Sequence, residues 1–163
     1  MFWLSVSLGW ILLGLVGIRW RRVHELLPAM LVGVLYFTFH TVISSAKPFF
    51  LLTDTKLLTN HWGIVLIGQV ANLPIMAMLY AQGLRPGGHL PWLRTIGFAT
   101  AGGAVMLVAR ALGKAIYAPW WHPSFTVFDL MLMFIAVWKA QSYFGAWESP
   151  RRLVRNDRFV RPR

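Results

Sequence analysis

Few side chains in this sequence are equipped for chemistry, and they are widely scattered. Among its 163 residues the acidic ones are Glu25, Asp54, Asp129, Glu148 and Asp157, and each falls in a different segment. General acid–base catalysis normally needs two placed groups, which this scatter does not offer. There is no cysteine, so thiolate nucleophiles, disulfides, iron–sulfur clusters and Cys-ligated zinc are excluded. Nucleophile-elbow, phosphate-loop and dinucleotide-binding glycine patterns are missing as well. The sequence therefore reads as that of a non-enzyme.

The five histidines raise the question of a metal or haem. His24 and His89 fall in loops on one side, His61 and His122 at the opposite boundary, and His40 alone lies within an apolar run. A bis-histidine haem needs two imidazoles at one depth, yet His40 sits about 10 Å deeper than His61 by helical rise. No HExxH pair occurs. Neither metal nor cofactor is expected.

The elements that position these residues are set by hydropathy. Hydrophobic residues make up 57% of the chain and charged residues 13%, and the charges are bunched between long uncharged stretches. That spacing predicts an all-α, polytopic transmembrane helix bundle occupying residues 1–145, followed by a basic tail at 146–163. About five spans are expected, near 2–18, 26–46, 61–81, 95–118 and 119–138, the last with its helix starting about Ser124. Four spans are possible, because Arg110 and Lys114 interrupt the second half of the fourth. Pro28 is placed in the first turn of the second span, where a missing N–H costs little. Pro74 lies inside the third, where it should bend or open the helix. The run Phe49 to Leu52 is too short to span and is expected at the interface or against a partner. In the fourth span Gly97, Ala101 and Ala104, with Ala99 and Gly103 on an adjacent line, allow close helix approach.

Polar groups within spans are the functional candidates, since each is expensive in hydrocarbon unless paired or wet. Gln69 and Asn72 are three apart and share a face, either lining a polar site or bridging to neighbouring helices. Arg110 and Asp129 lie equally far in sequence from the tight turn at Pro119-Trp120. Antiparallel neighbours would bring them to one depth, so a salt bridge is expected, with an ion or proton path as the alternative. His40 completes the intramembrane set. Arg151, Arg152, Arg155 and Arg158 of the tail are candidate contacts for lipid or a partner.

Orientation follows from the basic residues. With the amino terminus outside, the inner side receives Arg19, Arg21, Arg22, Arg85, Arg94, Lys139 and the six tail arginines, while Lys47, Lys56, Arg110 and Lys114 stay outside. Positive charge favours the cytoplasmic face, so the carboxyl terminus is expected inside. The net charge of +11 then meets anionic lipid headgroups rather than nucleic acid. The tail is expected to be partly disordered or held by a partner.

Leu26-Leu27-Pro28 at the start of a span, the segment Ala71 to Tyr80 and the Trp-His connector before a last span ending in Tyr143-Phe144 carry a resemblance. Over about residues 25 to 145 the chain resembles the small uncharacterised multi-span membrane proteins of endospore-forming Firmicutes, and the arginine tail departs from that pattern. The resemblance implies a bacterial plasma membrane and no established activity. Two functional classes remain. The first is a non-catalytic accessory or structural subunit of a larger bacterial membrane complex, in contact with other membrane subunits. The second is a small transporter, channel or proton-linked carrier built on the intramembrane polar residues.

Overall fold

The computed structural model describes residues 2–46, 50–52, 72–84 and 88–156, and the side chains within 2–43, 72–84 and 88–144. The described elements are α1 (Phe2–Gly17), a 3-10 turn at Trp20–Arg22, α2 (Val23–Ala46), β1 (Phe50–Leu52), α3 (Leu73–Ala81), α4 (Trp92–Ala111), β2 (Ala115–Tyr117) and α5 (Pro123–Asn156). Helices dominate, as the long apolar runs require. Among the described residues, three stretches are long and apolar enough to cross a bilayer: Trp20–Ile43, Trp92–Ala111 and Pro123–Phe144. The apolar α1 is shorter, at 16 residues.

Burial follows the helical period. On α2 the inward line runs through Leu26, Ala29 and Gly33, and on α5 through Thr126, Leu130, Met133, Phe134 and Val137. These three-and-four spacings put one stripe of each helix against its neighbours. The outward face is apolar too: Leu31, Leu35, Phe39 and Val42 form an exposed line on α2, and Val16 and Leu93 are about nine-tenths exposed. A water-facing helix would carry polar residues there, whereas lipid imposes no such requirement. Short α3 is the hub, packing against α1, α2, α4 and α5. Pro74, Met76, Ala77, Met78, Tyr80 and Ala81 are all buried.

Small residues set the closest approaches. A Cβ on Gly33 of α2 would stand 2.9 Å from the Pro74 Cα and 3.0 Å from the Leu73 carbonyl oxygen, both backbone atoms that cannot swing aside. On α4, Gly103 faces Val127 and Gly102 faces Leu130. The line through Gly97, Ala101 and Ala104 is instead exposed, with nothing within 4 Å of a Cβ at Gly97. The packed line is Thr95, Ala99 and Gly103, so the fourth helix is rotated from the face expected first.

Several boundaries also differ from the sequence reading. Pro28 lies inside α2, which starts at Val23, so it removes a bond from the second turn rather than the first. The regular part of α3 starts at Leu73, which puts Pro74 in its first turn; residues 61–71 of the expected third span lie outside the described ones. The fourth helix stops at Ala111, short of the expected Ala118, because Gly113 takes φ 67° and turns the chain. Ala115–Tyr117 then pairs antiparallel with Phe50–Leu52, in the register Phe50 to Tyr117 and Leu52 to Ala115. The short apolar run thus satisfies its backbone in a two-stranded ladder. Finally, α5 runs past residue 146 to Asn156, so Arg151, Arg152 and Arg155 of the basic tail lie on that helix. Arg158 lies outside the described residues.

Candidate functional site

Side-chain hydrogen bonds tie the bundle at two ends. At the ladder end, the Trp3 indole donates to the Lys114 carbonyl at 3.2 Å. At the opposite end, which carries Arg19, Arg21, Arg22, Arg94 and Lys139, Gln82 donates to the Gly17 carbonyl at 3.1 Å and accepts from the Arg19 N–H at 2.9 Å. Nearby, Gln141 donates to the Glu25 carbonyl and Trp138 to the Gly88 carbonyl.

The ionisable site lies between α2 and α5, toward the ladder end. Tyr36 and His40 are four residues apart on α2 and therefore share a face, continuing the inward line of Leu26, Ala29 and Gly33. Their rings lie against each other with centroids 4.7 Å apart. Both reach Asp129 of α5. The His40 Nε2 stands 3.0 Å from Asp129 Oδ1, and the Tyr36 hydroxyl donates to the same oxygen and lies 2.6 Å from the Asp129 carbonyl oxygen. The ionised carboxylate only accepts, so Nε2 carries the proton in that state. Side-chain exposure is 22% for both His40 and Asp129, so the pair is enclosed but not sealed. Each lies six residues from its helix end, Ala46 or Pro123, which is about 9 Å of rise.

This arrangement corrects the expected pairing of Arg110 with Asp129. Arg110 is exposed in the last turn of α4, with its guanidinium carbon 5.5 Å from the centre of the Tyr117 ring on β2. Similar depth is not enough for contact when two side chains leave their helices in different directions. Of the other candidates, Gln69 lies outside the described residues. Asn72 flanks the start of α3, and its buried Oδ1 has no hydrogen-bond partner among the described residues. Described residues contain no group of three or more His, Asp or Glu side chains placed to hold a metal ion.

The second cluster centres on Arg94 of α4, a residue that the charge pattern assigns to the basic side. Its Nε donates to the Tyr80 carbonyl at 3.0 Å and its Nη2 to the Leu79 carbonyl at 2.8 Å. These carbonyls belong to the last turn of α3, where the regular helical donors run out, although the Tyr80 carbonyl also accepts from the Gly83 N–H at 3.3 Å, and the cation suits the negative end of the helix dipole. The guanidinium packs 5.2 Å from the centre of Phe98 and fills the space beside Gly83, where a Cβ would stand 2.1 Å from Nη1. Tyr80 itself bonds to Thr95 at 2.9 Å and joins Phe98 and Phe134 in an aromatic cluster. Between the two polar clusters the described seam is apolar, filled by Met76, Leu130, Met133 and Phe134.

No family model, curated protein or solved structure matches this chain.

Proposed function

We propose that this chain is a non-catalytic accessory or structural subunit of a larger complex in a bacterial plasma membrane, crossing it about five times with its amino terminus outside and its carboxyl terminus in the cytoplasm. The observation that carries this reading is how the polar groups are used. Tyr36, His40 and Asp129 bond one another across two helices, Arg94 and Gln82 bond the ends of others, and the described seam between them is packed with Met and Phe. Groups spent on holding helices together suit a packing role better than a translocation path, which needs polar or wet stations along its length. The exposed apolar lines of α2 and α4 can meet lipid or a neighbouring subunit equally well. Arg151, Arg152, Arg155 and Arg158 then sit near anionic headgroups, each worth about 1 kcal/mol at such a surface.

The test is extraction in mild detergent, followed by size analysis and identification of stoichiometric companions, with purified protein reconstituted into liposomes in parallel. A defined complex without solute or proton flux from the isolated chain is expected. A partner-free protein with flux that disappears in Asp129→Asn would instead establish the carrier reading, which the His40–Asp129 pair favours.

A further inference from the structure

We propose that the turn joining α1 to α2 is a seat for one anionic phospholipid, whose phosphate is held by Arg21 and Arg22 and whose acyl chains lie on the exposed apolar lines of the two helices. The inference rests on placement of the bundle in a membrane, and not on the subunit reading or on the tail arginines.

The turn combines a fixed backbone with free charges. Gln82, just past α3, ties it on one side, accepting from the Arg19 N–H at 2.9 Å and donating to the Gly17 carbonyl at 3.1 Å. The Trp20 indole donates to the Leu15 carbonyl at 3.0 Å, and the Arg22 N–H donates to the Arg19 carbonyl at 2.8 Å. Arg19, Trp20, Arg21 and Arg22 are nevertheless all exposed. Among the described residues, the side chains of Arg21 and Arg22 have no hydrogen-bond or ion-pair partner. Arg94, by contrast, is spent on the Leu79 and Tyr80 carbonyls. A turn already held in place loses little freedom when its arginines take up a ligand.

Charge decides the kind of ligand. Described side chains at this end include Arg19, Arg21, Arg22, Arg94 and Lys139 against one carboxylate, Glu25, which stands 4.0 Å from His24. The complementary occupant is an anion, and guanidinium forks match the paired oxygens of a phosphodiester.

Apolar surface decides that the phosphate belongs to a lipid. On α1 the exposed Leu8, Leu12 and Leu15 lead to Arg19, and on α2 the exposed Leu27, Leu31 and Leu35 lead away from the turn. Each set recurs every three or four residues and so forms one stripe. A soluble phosphate leaves both stripes uncovered, whereas a diacyl lipid covers them while its headgroup meets the turn. Trp20, half exposed between the arginines, has the amphipathic ring that suits headgroup level.

The test begins with alkaline washing of membranes, which establishes whether the protein is embedded. Native mass spectrometry then counts the lipids it retains from mixed micelles of neutral detergent, holding equal amounts of phosphatidylglycerol and phosphatidylcholine with identical chains. Preferential retention of one phosphatidylglycerol is expected. Arg21→Gln combined with Arg22→Gln should cut the preference roughly 25-fold, about fivefold for each charge lost. The single variants, each expected to lose about fivefold, serve as the second test if the double variant does not fold. Glutamine at Arg151, Arg152, Arg155 and Arg158 should leave the preference in place, and so should an excess of inorganic phosphate. A protein that stays in washed membranes but holds both lipids equally would overturn the proposal and leave the membrane placement intact. Release by washing would overturn both. A preference that survives the paired substitution, or one erased by the tail substitutions or by inorganic phosphate, would also overturn the proposal.

Discussion

The two polar clusters solve different problems with similar numbers of bonds. At the basic end, Arg94 supplies donors to carbonyls in the last turn of a helix, so a side chain supplements a backbone. At the ladder end, Asp129 is matched by His40 and Tyr36, so side chains complete one another and the backbone of α2 needs nothing from them. The first arrangement has a charge that never leaves guanidinium at accessible pH, and is therefore insensitive to protons. The second contains two groups able to exchange a proton. One end is held by a side chain that caps a helix, the other by side chains that meet across two helices.

That contrast can be broken by substitution. The largest effect is expected from Asp129→Ala, which removes the carboxylate that both the Tyr36 hydroxyl and the His40 imidazole address. Loss of one partner from a buried pair costs on the order of 3 to 5 kcal/mol, and partial exposure places this site near about 3. Asp129→Asn should lose much less, and denaturant titration in detergent would measure both. Arg94→Met comes next. It removes two charge-assisted bonds but leaves carbonyls near the bundle end, where water can replace the donors, so about 2 kcal/mol is expected in the same titration.

Gly83→Ala should cost about 1 kcal/mol, because its new methyl displaces the Arg94 guanidinium rather than rigid backbone. The sharper measurement is the double variant with Arg94→Met. If Gly83 matters through Arg94, the combined loss will fall well short of the sum of the singles. Full additivity would separate the two residues. The smallest effect is expected from Arg110→Gln, below about 1 kcal/mol for an exposed cation over an aromatic ring. Exchanging Arg110 and Asp129 should rescue nothing, since the structure does not pair them.

Helical runs were legible from the sequence because lipid-compatible segments must be long, uncharged and internally hydrogen-bonded. Rotation about each helix axis was not. Gly97 and Gly103 sit on lines a fraction of a turn apart, and only the positions of Val127 and Leu130 decide which line is packed. The same blindness misassigned Asp129, since distance from the connecting turn fixes depth but not direction. A usable signal for its true partners was present: Tyr36 and His40 are one turn apart, and His40 lies as far from the end of α2 as Asp129 does from the start of α5. His40 matches no other histidine in depth, and its counterpart is a carboxylate. The end of α4 was hidden for another reason. Ala115, Ile116 and Tyr117 are apolar enough to prolong a span, and only the turn at Gly113 and the strand at Phe50–Leu52 redirect them.

Labelling of single cysteines in intact cells by a membrane-impermeant thiol reagent tests most directly that this is a membrane bundle with a ladder end outside and a basic end inside. Substitutions at Ile116 and Trp120, which are exposed at the ladder end, should react from outside. Those at Arg21 and Arg22, exposed at the basic end, should react only after the membrane is opened. Leu31 and Leu35, in the middle of the exposed apolar line of α2, should react slowly under either condition. External labelling at Arg21 and Arg22, or rapid labelling at Leu31 and Leu35, would contradict the bundle's placement in the bilayer.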